Sequence, residues 1–372
     1  MFSKDNPCKV AVIGFDHMHA GDFIRAASEH PRAVVAALWG ADGERMAGVA
    51  ADFQIDASRQ FTDVNELIQR ARPDLAVVCS TTHDHVRWVQ YLAGHHVAVM
   101  VEKPFATSLR EADAMIEVTR RHAVPLAVNW PLAWYPPHRT TRRLIAQGAI
   151  GPVREVHYYD GNRGPLNHLH DKKAADAGQG REARSASWWY QARQGGGSLL
   201  DYLGYGTTIS TWFRDGEMPA GITARTFIPP GYEVDEQAVI IAEYAAGLST
   251  YQTRWGTFTD PWSHQPQPRC GFVVVGTAGT IASYDYQDTI RVQSSERPEG
   301  FDVPVDILPL EQRNGIAAFI DALERGTEPE GPISWQVSRA GQVMVDAATQ
   351  SARAGRAVRL AELDPEGVQA DG

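Results

Sequence analysis

The chain has 372 residues, 43% of them hydrophobic and 22% charged, with a formal net charge of −10. That length exceeds one ordinary core and predicts two domains, and the composition is that of a globular protein. The negative charge argues against non-specific nucleic-acid binding and against docking on an anionic membrane surface.

No segment approaches the roughly 20 uninterrupted apolar residues of a membrane helix. Met1 to Lys9 is polar and lacks the order of a signal peptide. Cys8, Cys79 and Cys270 form no disulfide framework and no metal-ligand spacing. A reducing cytoplasm is the expected setting.

Lys9 to Gly14 is a short apolar run ending in glycine, which reads as a buried parallel strand. A helix follows over Ala20 to Glu29, ended before Pro31, then a strand over Ala33 to Trp39 and helices over Gly43 to Ala51 and Val64 to Ala71. Leu75 to Cys79 reads as a strand, His85 to Ala93 as a helix and Val97 to Val101 as a strand running into Glu102. Ser108 to His122 is a long amphipathic helix and Pro125 to Asn129 another strand. Alternation of this kind predicts an α/β, doubly wound Rossmann parallel sheet over residues 1–128.

The texture changes from residue 129 onward. Arg139 to Gln147 reads as helix. Val153 to Tyr159, Gly221 to Phe227, Ala238 to Tyr244, Leu248 to Thr253, Gly271 to Val275 and Thr289 to Val292 read as strands. Consecutive strands predict an α+β second domain, residues 129–372, with an open, mostly antiparallel sheet. Tyr202 to Trp212 interrupts them as a helix, and Gly161 to Ser187 is a long polar loop. Asn314 to Glu324 and Val337 to Ala354 are the last helices, and the tail after Leu363 is expected to fray.

A dinucleotide fingerprint wants G-x-G-x-x-G after the first strand. Here Gly14-Phe15-Asp16-His17-Met18-His19 fills that frame and keeps only the first glycine. The strand before it and the helix start after it still suit a pyrophosphate, whose charge backbone N–H groups at a helix start attract. Asp16 is the awkward residue, because a carboxylate repels a phosphate; it either caps the helix and turns away or is offset by His17 and His19. At the end of the second strand an acid would hold the ribose 2′-hydroxyl and repel a 2′-phosphate. Gly40 stands there, after Trp39, which would lie along the adenine, and Arg45 follows shortly. This favours NADP, with NAD possible should Asp42 serve as the acid.

Glu102-Lys103-Pro104 ends a strand at the crevice where such sheets bind ligands. A lysine there donates to the nicotinamide ribose and the substrate oxygen, and its charge favours a developing alkoxide. Ninety residues on, Gly195-Gly196-Gly197 would let backbone pass close to a cofactor. Asp201 and Tyr205, four apart, share a helix face. Beside Lys103 and an oxidised nicotinamide a phenolate is favoured, so Tyr205 would accept the alcohol proton while Asp201 holds a neighbouring hydroxyl. The blander alternative has Asp201 capping the helix and Tyr205 in the core. Asn129, Trp134, Tyr135 and Trp189 offer the polar tips and aromatic faces that suit a sugar ring, and Arg163, His168, His170 and Lys172 could close over it. His168-Leu169-His170-Asp171 hints at a metal site, but hydride transfer needs none and no metal is expected.

These stretches resemble the Gfo/Idh/MocA family of oxidoreductases over residues 8–360. The likeness rests on Val12-Ile13-Gly14, on Ser80-Thr81-Thr82-His83-Asp84-His85, on Glu102-Lys103-Pro104, on Gly195 through Tyr205 and on Ser351 to Gly355. The resemblance implies an N-terminal Rossmann domain, a C-terminal open sheet and a homodimer or homotetramer packed through that sheet. It matches Lys103 to the catalytic lysine, and Ser80, Thr81, Thr82 and His85 to the segment lining the nicotinamide. Most members carry histidine at Tyr205; branches with tyrosine use NADP. The stretch Asn129 to Pro137 departs from the usual pattern, so the substrate, a sugar, sugar derivative or cyclitol, is not carried over. Two other outcomes known on this fold stay open: a nicotinamide-dependent glycosidase or lyase working through transient oxidation, and a non-enzymatic ligand sensor.

Overall fold

A computed structural model describes residues 2–168, 172, 174 and 180–364. The chain divides into two compact units, and neither is one continuous stretch.

The first unit comprises Met1–Trp130, Leu166–Ala183 and Pro309–Trp335. Its sheet holds β1 (Cys8–Ile13), β2 (Ala33–Trp39), β3 (Gln60–Phe61), β4 (Leu75–Val78), β5 (Ala98–Glu102) and β6 (Leu126–Asn129), in the order β3-β2-β1-β4-β5-β6 and all parallel. Strands β4, β5 and β6 are buried at every residue, which is why they read as nearly unbroken apolar runs rather than alternating ones. The order reverses between β1 and β4. In open parallel sheets the loops at such a reversal splay apart and leave a crevice at the strand C-termini.

The helices start where side chains can satisfy their orphan amides. Asp42 accepts from the Glu44 and Arg45 amides to open α2 (Gly43–Asp52), Asp63 accepts from Asn65 to open α3 (Val64–Ala71), and Ser108 accepts from Glu111 to open α5 (Leu109–Arg121). The helix α1 (Ala20–Glu29) turns Ala20, Phe23, Ile24 and Ala27 inward, and α4 (His85–Gly94) buries Trp88, Val89, Leu92 and Ala93. The late helix that completes this unit, Gly315–Arg325, is capped by Asn314 and packs on α1, where Glu324 pairs with Arg32 and accepts from the Phe2 amide.

The second unit comprises Pro131–Pro165, Arg184–Leu308 and Gln336–Gly372. It is built on a nine-stranded sheet ordered β14-β13-β12-β11-β7-β10-β9-β8-β15. The strands are β7 (Val153–Asn162), β8 (Gly221–Phe227), β9 (Gln237–Tyr244), β10 (Gly247–Trp255), β11 (Gly271–Gly276), β12 (Gly279–Tyr284), β13 (Thr289–Ser294), β14 (Phe301–Pro304) and β15 (Val358–Arg359). Every pairing is antiparallel except β7 with β10. Strand β9 alternates cleanly: Ala238, Ile240, Ala242 and Tyr244 point inward, while Val239 and Ile241 are 41% and 39% exposed.

Helices α6 (Pro136–Ala146), α8 (Ser198–Phe213) and α10 (Trp335–Ala354) complete this unit; α7 (Arg181–Ala186) is a short turn of helix within the polar segment, and Gly315–Arg325 takes the label α9. Helix α8 is buried almost all round, so its hydroxyls must bond internally. Thr207 donates to the Leu203 and Gly341 carbonyls, and Ser210 meets the Tyr251 hydroxyl at 2.8 Å. Glycine is required where α8 meets the sheet: a Cβ at Gly206 would stand 2.5 Å from Tyr158.

Several expectations shift. Helix α8 begins at Ser198 rather than Tyr202, because Asp235 supplies its cap from far along the chain: the Asp235 carboxylate accepts from the Ser198 hydroxyl and the Leu199 amide. Strand β7 runs three residues beyond Tyr159, since Asp160, Gly161 and Asn162 pair with Thr253, Arg254 and Trp255. The polar loop contains α7. His170 and Asp171, and the tail from residue 365, lie outside the described residues.

Candidate active site

In the first unit the candidate residues collect at the C-terminal ends of β1, β4 and β5. Gly14 follows β1 with φ +88°, and a Cβ there would lie 3.1 Å from the Ser80 amide nitrogen, so glycine is obligatory for both conformation and space. The turn folds back on the end of β4: the Asp16 and His17 amides both donate to the Cys79 carbonyl. Phe15 is buried, and its ring is 3.2 Å from where a Cβ on Gly40 would sit. An acid at position 40 would therefore have to displace Phe15 or Met46.

Asp16 is half-exposed and faces Arg45 across 3.6 Å. Partial burial raises its carboxyl above the ordinary range, with Arg45 opposing. It does not cap α1, whose cap residue is His19 with no side-chain capping bond. Asp42 is engaged at the start of α2. Trp39 packs edge-on against Trp88 with centroids 4.4 Å apart, and its indole donates to the Thr62 carbonyl. Met18 is partly buried.

The centre of this cluster is polar and buried. Glu102 is fully buried and Lys103 is 3% exposed. Glu102 Oε1 accepts from His19 Nδ1 at 2.6 Å, and Oε2 accepts from Asn129 Nδ2 at 3.1 Å. His17 Nδ1 accepts from the His19 amide at 3.3 Å and lies 3.8 Å from Glu102. Burial, reinforced by the charges of Lys103, His19 and His85, holds the His17 imidazole well below its usual range. Burial does the same for His85, whose Nδ1 donates to the Phe105 carbonyl at 3.1 Å. Both rings are therefore harder to protonate than a free imidazole. Ser80 and Thr82 are buried beside them and Thr81 is partly buried. His168 is buried in this unit, and Lys172 lies 4.0 Å from Asp22.

In the second unit, Asp201 and Tyr205 sit one turn apart on α8, 4% exposed each. Asp201 Oδ2 accepts from the Trp255 indole at 2.9 Å. Trp189 stacks on Trp188 and meets Trp255 edge-on. Arg163 is held by Asp260 through its amide at 3.1 Å and Nε at 2.7 Å. Tyr135 bonds to Tyr286 at 2.6 Å, and Trp134 lies under Arg139.

Four polar residues of this region escaped the reading by sequence: Asp160, Trp255, Asp260 and, in the first unit, His19 as a partner of Glu102. Asp160 accepts from the Tyr158 hydroxyl at 3.0 Å. Its signal is weak but real: Val156, Tyr158, Asp160 and Asn162 share the buried face of β7, and an acid on a buried face calls for a purpose.

Residues 8–130 match the signature described as "Oxidoreductase family, NAD-binding Rossmann fold", and residues 138–282 match the "GFO/IDH/MocA C-terminal domain". A D-apiose dehydrogenase of Paraburkholderia graminis is 24% identical over 361 residues, covering 94% of this chain and 88% of that protein. Solved structures share the fold, among them the following. An oxidoreductase from Agrobacterium radiobacter in complex with NAD+, L-tartaric acid and magnesium superposes with TM-score 0.74 at 21% identity, over 96% of this chain and 99% of the other. An aldose-aldose oxidoreductase from Caulobacter crescentus, complexed with glycerol, gives 0.75 at 19% identity, over 95% and 99%.

Proposed function

Because the chain belongs to the GFO/IDH/MocA family of oxidoreductases, we propose that it transfers hydride between NADP and a hydroxyl-bearing carbon of a sugar, sugar derivative or cyclitol. The observation that carries this reading is Lys103. A lysine is almost never fully buried without a purpose, and this one is buried just past the end of β5, within electrostatic reach of the buried His17 imidazole. The D-apiose dehydrogenase and the glycerol-bound aldose-aldose oxidoreductase support a polyhydroxylated substrate.

The residues present fit a dinucleotide. Gly14 keeps the one backbone position where a side chain would collide with the neighbouring turn. Phe15 to Met18 and the start of α1 would take the pyrophosphate, Trp39, Gly40 and Arg45 the adenosine end, and Ser80, Thr81, Thr82, His85, Glu102 and Lys103 the nicotinamide side. A bound nicotinamide ring supplies the hydride acceptor or donor. Lys103 holds the substrate oxygen and favours its negative charge, Tyr205 takes or returns the proton, and Asp201, fixed by Trp255, accepts from a neighbouring hydroxyl. Asn129, Trp134, Tyr135, Arg163, His168 and Trp189 complete the substrate contacts. NADP is preferred because Gly40 offers no acid, Asp42 is occupied as a cap, and Arg45 is near.

The test begins with tryptophan fluorescence titrations of NADP and NAD in both redox states. A screen of aldoses, polyols and cyclitols follows, read by reduced-nucleotide absorbance. K103M and Y205F should each lower kcat on the order of 10²- to 10⁴-fold, and Y205F should do so with nucleotide binding unchanged. A chain that binds neither nucleotide would overturn the reading.

A further inference from the structure

The fingerprint's third glycine normally lets the helix after β1 pack closely on the strand. Here that position is His19, and its imidazole does something a glycine cannot. It donates through Nδ1 to Glu102, 83 residues away, at 2.6 Å. Glu102 is fully buried, immediately precedes Lys103, and has its other oxygen held by Asn129 at the end of β6. We propose that His19 is a positioning residue: through Glu102 it ties the nucleotide-binding turn after β1 to the strand end that presents Lys103.

The chemistry requires such a tie. A carboxylate in a dry site stays ionised and immobile only when its oxygens are hydrogen-bonded. His19 and Asn129 take one oxygen each, so the Glu102 carboxylate plane is fixed from two directions, and with it the backbone leading into Lys103. A charge-assisted bond of this length is among the stronger hydrogen bonds.

The same side chains invite a metal reading, because donor atoms of His17, His19 and Glu102 all lie within 4.8 Å of one another. Two observations decide against it. Ligands about 2.0–2.1 Å from a tetrahedral zinc stand about 3.3 Å apart, whereas His19 Nδ1 and Glu102 Oε1 are at 2.6 Å, a proton-sharing distance. His17 also feels the positive charge of Lys103, which repels a cation.

The inference rests on the oxidoreductase reading, and its test separates the two. Asparagine places an N–H near the position of a histidine Nδ1; glutamine places one near Nε2. In the full-length protein, H19Q and the isosteric E102Q should each lose on the order of 100-fold in kcat, the cost of slight misplacement of a reacting group. In H19Q, KM and the NADP fluorescence midpoint should change little; E102Q alters a residue of the nicotinamide side, so its nucleotide midpoint is measured alongside and its kcat is read at saturating NADP. H19N should recover most of the activity that H19Q loses, which a merely space-filling role would not produce. Thermal melts of all variants check folding; where H19Q fails to fold, E102Q carries the comparison. Wild-type kcat in H19Q or in E102Q, or equal losses in H19N and H19Q, overturns the proposal. So does stoichiometric zinc in the purified wild type that H19Q lacks. Wild type that binds no nucleotide instead overturns the reading beneath it, before any variant is compared.

Discussion

Removing Arg45 should separate two electrostatic roles, its pairing with Asp16 and the one proposed for it toward a 2′-phosphate. Arg45 and Asp16 face each other across 3.6 Å, and their side chains are 52% and 39% exposed. At that exposure the water-like dielectric applies, and one unit charge pair is worth about 1 kcal/mol, or about fivefold in affinity. R45A removes the partner of Asp16 beside the pyrophosphate turn, so both NAD and NADP should weaken by up to about fivefold. It also removes the group proposed to read the 2′-phosphate, so NADP alone should lose a further factor of about five. The ratio of the two affinities therefore moves about fivefold toward NAD, and less at high salt. D16N is the control: it should tighten both nucleotides alike and leave the ratio unchanged. Fluorescence or calorimetric titrations of both nucleotides at two ionic strengths measure all four quantities. A ratio unmoved in R45A would show that Arg45 only neutralises Asp16, and the NADP preference would lose its main support.

Burial lifts the Asp235 carboxyl from 3.8 to about 6, against hydrogen bonds from Ser198 and Leu199 that pull the other way. A carboxyl raised in the folded state favours folding while protonated and loses that advantage as pH rises through its folded pKa. Wild-type stability should therefore fall between about pH 4 and 6 relative to D235N, by on the order of 3 kcal/mol; parallel denaturation curves across that window would refute the assignment. G206A should destabilise the second unit by about 1–3 kcal/mol, since its Cβ meets the Tyr158 ring at 2.5 Å; an unchanged urea midpoint would show that α8 and β7 pack less tightly than described. W255F deletes the indole donor to buried Asp201 and should cost about 1–3 kcal/mol, read in the same denaturation assay.

What could be read from sequence depended on how local the cause was. The strands of the parallel sheet announced themselves because burial on both faces leaves no alternative to apolar runs, as in Leu75–Val78. The helix starts at Asp42, Asp63 and Ser108 carry their caps within three residues. Strand β12, Gly279–Tyr284, carries small residues on both faces, Gly279 and Ser283 on one and Thr280 and Ala282 on the other, and so imitates a loop. Strand β14 ends in Pro304 at the sheet edge, where a missing N–H costs little. The start of α8 lies earlier than the sequence suggests because its cap comes from Asp235, beyond α8 itself and strand β8 in sequence. Lys103, Asp201 and Tyr205 were legible as motifs; the side chains that hold Glu102 and Asp201 in place were not, because Trp255 and His19 reach them only through tertiary contacts.

The degenerate fingerprint illustrates why motif and mechanism must be kept apart. Of its three glycine positions, only the first is dictated here by backbone geometry, with φ +88° and the Ser80 backbone at 3.1 Å. The second, Asp16, directs its carboxylate toward Arg45, and the third, His19, directs its ring to Glu102. Neither substitution places an uncompensated charge on the turn, because each acquires an opposite or accepting partner within the same unit. The pattern of glycines is thus one solution to a packing requirement, and polar side chains with partners already in place are another. If that is correct, restoring glycine at position 19 alone should not improve the chain: H19G would leave one Glu102 oxygen unpaired in a dry site, at a cost of about 1–3 kcal/mol or more. The double variant H19G/E102Q should lose less than the two single losses combined. Strict additivity in melts of the four proteins would show that His19 and Glu102 act independently, and the tie between turn and strand would have to be abandoned.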